Sequence, residues 1–298
     1  MGFALASMCS AQDFFVRNEP VAISQFQKIL TTNHIREYPI PQIGGTWLHM
    51  LSTVSYSTGG ATIPLGTVAA VDIRDKKFFS GLEVTANLNM GSSSDWVDEP
   101  CKRENYLYKR STGGKFKNIN CVSINHIVTY YATPTGAYQQ LVVNLKDQGV
   151  EIPPTIIRVE FTRYSDSGRR LVYKMDVNPE LFGIDRDSTT LWGSSPWHKS
   201  FIDRDTKKVE FIRKLSKWAE IIQDRMDSAF EKNKDAFSNI PDLAAFIDGE
   251  STPVNSVQPT LIKSSLETKL KMLKDLFEKK LLTENQYNEQ VKSAIGAN

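Results

Sequence analysis

Ile157-Arg-Val-Glu-Phe-Thr-Arg-Tyr164, then Ser-Asp-Ser-Gly168, then Leu171-Val-Tyr-Lys-Met-Asp-Val177, is the stretch from which the fold can be read. Ile157, Val159 and Phe161 alternate with Arg158, Glu160 and Thr162. Leu171, Tyr173, Met175 and Val177 alternate on the return. A period of two on both arms, with a Ser/Asp/Gly turn between them, predicts a β-hairpin. One of its faces is polar and is expected to meet water, which favours an antiparallel sheet over a parallel one.

Upstream, short strands broken by turn residues run from about Gly45 to Asn89. One spans Thr46–Tyr56, Ser57-Thr-Gly-Gly60 turns the chain, and Gly66–Ile73 is another. In 82–88, Leu82, Val84, Ala86 and Leu88 alternate with polar residues, as in a half-buried strand. A strand opens at Cys121 and runs through Val122, Ile124, Ile127, Val128, Tyr130 and Tyr131. After Pro134 the period changes. Tyr138, Leu141, Val142 and Leu145 share a helical face, with Thr135 able to cap it and Gly149 able to end it. Downstream, Phe211, Leu215, Trp218, Ile222 and Met226 predict a long amphipathic helix over about Asp205–Lys232, capped by Asp205. The fold class expected is α+β, a mainly antiparallel sheet packed by that helix, with a C-terminal helical hairpin. The body is expected over 12–236. A Pro/Ser-rich linker over 237–263 follows, with a short helical turn at Leu243–Ile247, and then a tail over 264–298.

The tail repeats its apolar residues at helical spacing. Leu266, Leu270, Leu273 and Phe277 form one stripe, and Leu282, Tyr287, Val291 and Ile295 continue it on a second helix. Thr283 and Gln286 between them suit a capping box. The stretch Leu270-Lys-Met-Leu273 through Leu281-Leu282-Thr283-Glu-Asn-Gln286-Tyr287 resembles the SHOCT family, the short C-terminal domain of many bacterial proteins. Leu282-Thr283 and Gln286-Tyr287 fall on that family's aliphatic-Thr and polar-aromatic positions, whereas Lys280 stands where a turn glycine is usual. The resemblance implies an oligomerisation or docking module and carries over no catalytic residue. A hairpin this small has little to bury against itself, so its apolar face needs a partner. That partner would be the chain itself or another protein.

A formal net charge of +2 over 298 residues lacks the basic footprint of a dedicated nucleic-acid binder. Residues 1–11 are uncharged and mostly small or apolar. They read as the remnant of a signal peptide that ends at Cys9-Ser-Ala11, without a charged n-region. Removal of that leader leaves Cys101 and Cys121 as an even pair. A bridge between them would close a loop of about twenty residues and contribute roughly 3 kcal/mol in the chain-entropy model. An oxidising compartment such as the periplasm would sustain it, so a periplasmic or secreted location is expected. Two free thiols in a cytoplasmic protein are the alternative.

Candidate chemistry concentrates in one loop. Ile-Asp-Arg-Asp occurs at 184–187 and again at 202–205, and Leu191-Trp-Gly-Ser-Ser-Pro-Trp-His198 lies between the copies. Trp192, Trp197 and His198 could stack on a sugar or a peptide side chain. Packing of both indoles between sheet and helix is the favoured reading, because large aromatics mostly serve packing. The four aspartates, Asp185, Asp187, Asp203 and Asp205, lack the glycine and glutamate of a calcium loop and suit turns and caps. His34, His49, His126 and His198 have no zinc-site spacing, and His126 reads as a hydrogen-bonded strand residue. No nucleophile elbow is present, and Ser111-Thr-Gly-Gly-Lys115 lacks two residues of a phosphate loop. No cofactor or metal is therefore expected. Arg103, Lys109, Arg110, Lys115 and Lys117 with Tyr106, Tyr108 and Phe116 could meet an envelope glycan or lipid headgroup, although a solvated hairpin surface is favoured.

These readings converge on an exported, non-enzymatic envelope protein whose body binds and whose tail assembles or docks. Two alternatives remain open. A periplasmic hydrolase or carbohydrate-active enzyme would need two of the four aspartates to converge with His198 in one cleft. A cytosolic assembly protein would be favoured if Cys101 and Cys121 were too far apart to bond, about 7 Å or more between α-carbons.

Overall fold

The hairpin at 155–177 forms the middle of a seven-stranded antiparallel sheet. In the computed structural model the described residues are 34–35, 38–39, 41, 47–56, 64–87, 100–112, 118–129, 137–189 and 191–249, with Lys274, Tyr287 and Asn288 beyond them. Two short strands, β1 (His34–Ile35) and β2 (Tyr38–Pro39), pair with each other. The sheet itself takes β3 (Trp47–Tyr56), β4 (Pro64–Arg74), β5 (Lys77–Asn87), β6 (Tyr108–Ser111), β7 (Asn120–Val128), β8 (Thr155–Tyr164) and β9 (Arg170–Val177). Their order across the sheet is β3-β4-β5-β9-β8-β7-β6. The β8–β9 hairpin thus joins a β3–β5 meander on one side to β7 and β6 on the other. Gly168 closes its turn with φ +79°, a conformation that glycine adopts without a Cβ penalty.

The apolar arm of the predicted alternation lies in the main core. Ile157, Val159, Phe161, Leu171, Tyr173 and Val177 are all at most 1 % exposed. The Tyr173 hydroxyl donates to the Pro39 carbonyl and so ties β2 to the sheet centre. The polar face departs from the expectation that it meets water. Helix α1 (Ala137–Asp147) packs Leu141, Val142 and Leu145 on Ala69, Val71, Phe78 and Ile156, which point to that side. Part of the second face is therefore buried, and its charges are paired there. Arg158 grips the buried Asp176 through two bonds of 2.7 and 2.8 Å, and the Lys174 ammonium lies 2.6 Å from Glu83.

The main core is covered by α2 (Thr206–Gln223), whose first turn is capped by Asp205 accepting from the backbone N–H groups of Lys207 and Lys208. Phe211, Leu215, Trp218 and Ile222 face the sheet side of the helix and are buried. The helix is shorter than its sequence stripe predicts. It ends at Gln223, and Met226 is buried from a separate short helix, α3 (Met226–Phe230). The stripe runs on because both pieces cover the same core, not because one helix spans them.

The linker expected over 237–263 starts too early. Phe237, Leu243 and Ile247 belong to the main core, and α4 (Leu243–Asp248) is capped by Asp242 at one end and by Gly249, with φ +82°, at the other. The Trp218 indole donates to the Pro241 carbonyl at 3.0 Å and the Lys214 ammonium to the Ile247 carbonyl at 2.7 Å. Composition rich in small residues hid a segment that helix α2 holds by backbone acceptors. The chain divides into two compact units, Met1–Glu250 and Ser251–Asn298. In the second, Lys274, Tyr287 and Asn288 are helical. Leu266, Leu270, Leu273, Phe277, Leu282, Val291 and Ile295 lie outside the described residues. Ser57–Gly60, Leu88, Tyr130, Tyr131, Thr135 and the 1–11 segment do so too.

Leu215 is 0 % exposed between α2 and the sheet. Leu215→Ala is expected to lower the unfolding free energy by about 2–5 kcal/mol, read by urea denaturation. Val209, on the outer face of the same helix, should tolerate Val209→Ala with a change below about 0.5 kcal/mol.

Candidate functional site

The loop between β9 and α2 is built around one buried carboxylate. Asp187 accepts from the Ser195 hydroxyl at 2.9 Å, the Thr155 hydroxyl at 3.3 Å and the Thr189 backbone N–H at 2.9 Å. Ser195 is fully buried, and its hydroxyl oxygen also accepts from the Trp197 backbone N–H at 3.2 Å. Two 3-10 turns, Trp192–Ser194 and Ile202–Arg204, flank this anchor. They set where the aromatic side chains of the loop can point.

Trp197 points inward. It is 1 % exposed, packs on Phe211 and receives the Lys208 ammonium 5.5 Å from its ring. The favoured packing role thus holds for Trp197, whose burial anchors the loop to α2 and takes it out of any ligand surface, while Trp192 departs from it. Trp192 is 36 % exposed and stacks on His126 of β7, with ring centroids 4.9 Å apart and planes within 10°. Its indole N–H donates to the His126 carbonyl, and the His126 Nε2–H donates in return to the Trp192 carbonyl at 3.0 Å. His198 meets the Trp192 indole edge-on at 4.7 Å and lies 5.8 Å from Phe201. Four aromatic rings, His126, Trp192, His198 and Phe201, thus form one continuous cluster.

Phe201 joins the cluster to an open cleft of about 340 Å³ that Ser194, Pro196, Arg204, Asp205 and Lys208 also line. The volume falls at the low end of what small-ligand sites occupy, about 300–1,000 Å³. The Arg204 guanidinium sits 5.0 Å from the Phe201 ring. Leu191, at 69 % exposed, lies beside Trp192 in the chain, and together with Leu181 and Val209 they are the exposed large apolar side chains among the described residues. Of these, Leu191 and Trp192 belong to the loop itself, whereas Leu181 lies in the turn Pro179–Phe182 and Val209 on α2.

The electrostatics of the cluster centre on His126. The residue is 1 % exposed, and its Nδ1 finds no hydrogen-bond partner among the described residues. Burial pushes its pKa below the usual 6.5, against a smaller upward pull from the Trp192 carbonyl. His126 is a hydrogen-bonded strand residue, as its apolar neighbours predict. Its stacking on Trp192 was invisible because 66 positions separate them. Phe201 and Arg204 were likewise missed, since their relation to the loop depends on the second 3-10 turn.

The carboxylates do not converge on His198. Asp187 turns inward to Ser195 and Thr155, Asp205 caps α2, and Asp185 and Asp203 are exposed. Among the described residues no group of three His, Cys, Asp or Glu could hold a metal ion. At the other end of β7, Cys101 in the turn Pro100–Lys102 is bonded to Cys121, with α-carbons 6.0 Å apart. The enclosed strand β6 is tied to α2 by the Tyr108 hydroxyl on Glu220 at 2.7 Å and by Arg110 on Asp224 at 2.9 Å. Lys109 lies 3.3 Å from Glu104, so two cations of the basic cluster, Lys109 and Arg110, meet carboxylates. Lys115, Phe116 and Lys117 lie outside the described residues.

Comparison of the chain with family models, with curated proteins and with solved structures finds no match.

Ser195→Ala removes one of the three donors that hold Asp187. The variant is expected to lose about 1–3 kcal/mol of stability. Its amides at Trp197 and His198 should exchange hydrogen faster, as mass spectrometry of peptides from the loop would read.

Proposed function

We propose that this chain is an exported, non-enzymatic binding and assembly protein. Its disulfide-bonded body would present the Trp192–His198 surface to a partner, and its SHOCT-like tail would mediate self-association or docking. The Cys101–Cys121 bond carries this reading, because such a bond persists in an oxidising compartment and is rare where glutathione keeps thiols reduced. The α-carbon separation of 6.0 Å lies inside the range that a disulfide needs, which disfavours the cytosolic alternative. The hydrolase alternative required two aspartates beside His198. Asp187 and Asp205 are instead engaged in anchoring the loop and capping the helix, which supports binding over catalysis. The exposure of the adjacent Leu191 and Trp192 on this loop supports a surface that is covered in use.

Two measurements test the halves of the proposal separately. Thiols trapped by alkylation in intact cells should leave Cys101 and Cys121 unlabelled until a reductant is added; labelling of both without reductant would overturn export. The solution mass of 12–298, compared by light scattering with a chain ending at Pro259, should be oligomeric only for the longer chain. Leu273→Asp in the longer chain should return it to the mass of the shorter one, and an unchanged assembly would overturn the tail interface.

A further inference from the structure

On the reading of the Trp192 loop as the binding surface of the body, we propose that His126 is a pH-sensitive latch for that surface. Neutral, it clamps the turn Trp192–Ser194 onto β7; protonated, it lets the turn go and remodels the cleft that Ser194 lines.

The clamp is reciprocal. The Trp192 carbonyl can only accept, so the 3.0 Å contact requires the hydrogen on Nε2 of His126, and the neutral ring then keeps a bare lone pair on Nδ1. The Trp192 indole returns a bond to the His126 carbonyl, and the two rings stack. A second proton would have to go on Nδ1, a buried atom with no acceptor among the described residues. The charge would be drawn by the Trp192 carbonyl and by Asp187, and repelled by His198. Across the ladder His126 faces Ile157 of β8, and the nearby Arg158 is taken up by Asp176. Loss of hydration at a site 1 % exposed outweighs the two attractions, which is why burial holds the ring neutral. Among the described residues the Trp192 ring and carbonyl lie on the imidazole, so the imidazolium regains water when that turn lifts.

The sign follows from linkage. The closed form has the depressed pKa and the open form the ordinary one, about 6.5. Above that value the two forms bind equal numbers of protons and the latch stays shut. As pH falls below it, the open form takes up a proton that the closed form refuses. The open-to-closed ratio then rises by up to about tenfold per pH unit, until the closed form protonates too. An acidic environment would therefore loosen whatever the Trp192 surface holds.

The test follows the full-length chain by NMR from pH 8 to 4.5, reading the histidine ring signals and the exchange of indole N–H protons. Expected are a His126 midpoint below 6.5 and a loss of Trp192 indole protection at that same midpoint, with Trp218 still protected. His126→Gln, which keeps a donor but cannot titrate, should hold Trp192 protection flat with pH. His198→Gln removes a like charge and so lessens the depression in the closed form, and the loss of Trp192 protection should move to lower pH. The latch is overturned if His126 titrates without any change at Trp192. It is also overturned if the transition survives His126→Gln or coincides with loss of protection at Trp218, which would mark acid unfolding of the whole body. Should His126→Gln fail to fold, the coincidence of midpoints in the unaltered chain decides alone. No partner is needed for the readout, so the failure of the latch and the failure of the surface to bind are separate results.

Discussion

Burial of the β8–β9 hairpin is the constraint on which the rest of the body depends. Its apolar side chains are sealed on one side by Phe211, Leu215, Trp218 and Ile222 of α2. A hairpin by itself is marginal in water; it becomes a stable centre when strands flank it on both edges and a helix covers it. Both conditions hold here, with β5 paired along β9 and β7 along β8. The order of strands follows from this. Because the hairpin occupies the middle, β5 and β7 never meet, and the chain between them must cross from one side of the sheet to the other.

That arrangement has consequences at both ends of β7. Toward its start, Cys121 is bonded to the turn that precedes β6, and β6 is held to α2 by Tyr108 and Arg110. The short edge strand β6 carries Lys109 and Arg110, a form in which sheet edges resist pairing with other chains. Toward its end, His126 receives the Trp192 turn. One strand thus links the disulfide loop to the aromatic cluster, and it is the strand next to the hairpin. The loop between β9 and α2 must bridge the sheet and the helix that covers it, so its inward residues, Trp197, Ser195 and Ile202, serve packing. Its outward residues, Leu191 and Trp192, are left for other uses.

Much of the local structure was legible. Alternation in 157–177 marked the hairpin, the stripe from Phe211 to Ile222 marked α2, and Asp205 was placed at its cap. These features are set by side-chain period and by capping, both of which operate over a few residues. The misreadings share one cause. The stripe extended through Met226 because periodicity does not register the turn at Asp224–Arg225. The short helical turn expected at Leu243–Ile247 is α4, but its place in the main core is not visible in a segment whose small residues and prolines resemble a linker. Trp197 and Trp192 were grouped together, although one is core and the other surface.

The sequence by itself determined the class of the body, the strand character of 155–177, the helical face of α2 and the availability of a cysteine pair. Each of these is written in residues close together in the chain, or in a count. Only the tertiary structure decided strand order, the burial of the second sheet face by α1, the inward turn of Asp187 and the meeting of His126 with Trp192. Those outcomes depend on contacts between distant segments, and the side chains involved carry no local period that would announce them. A histidine among isoleucines reads the same whether an indole, a backbone carbonyl or nothing lies above it, and the fold alone supplies the partner.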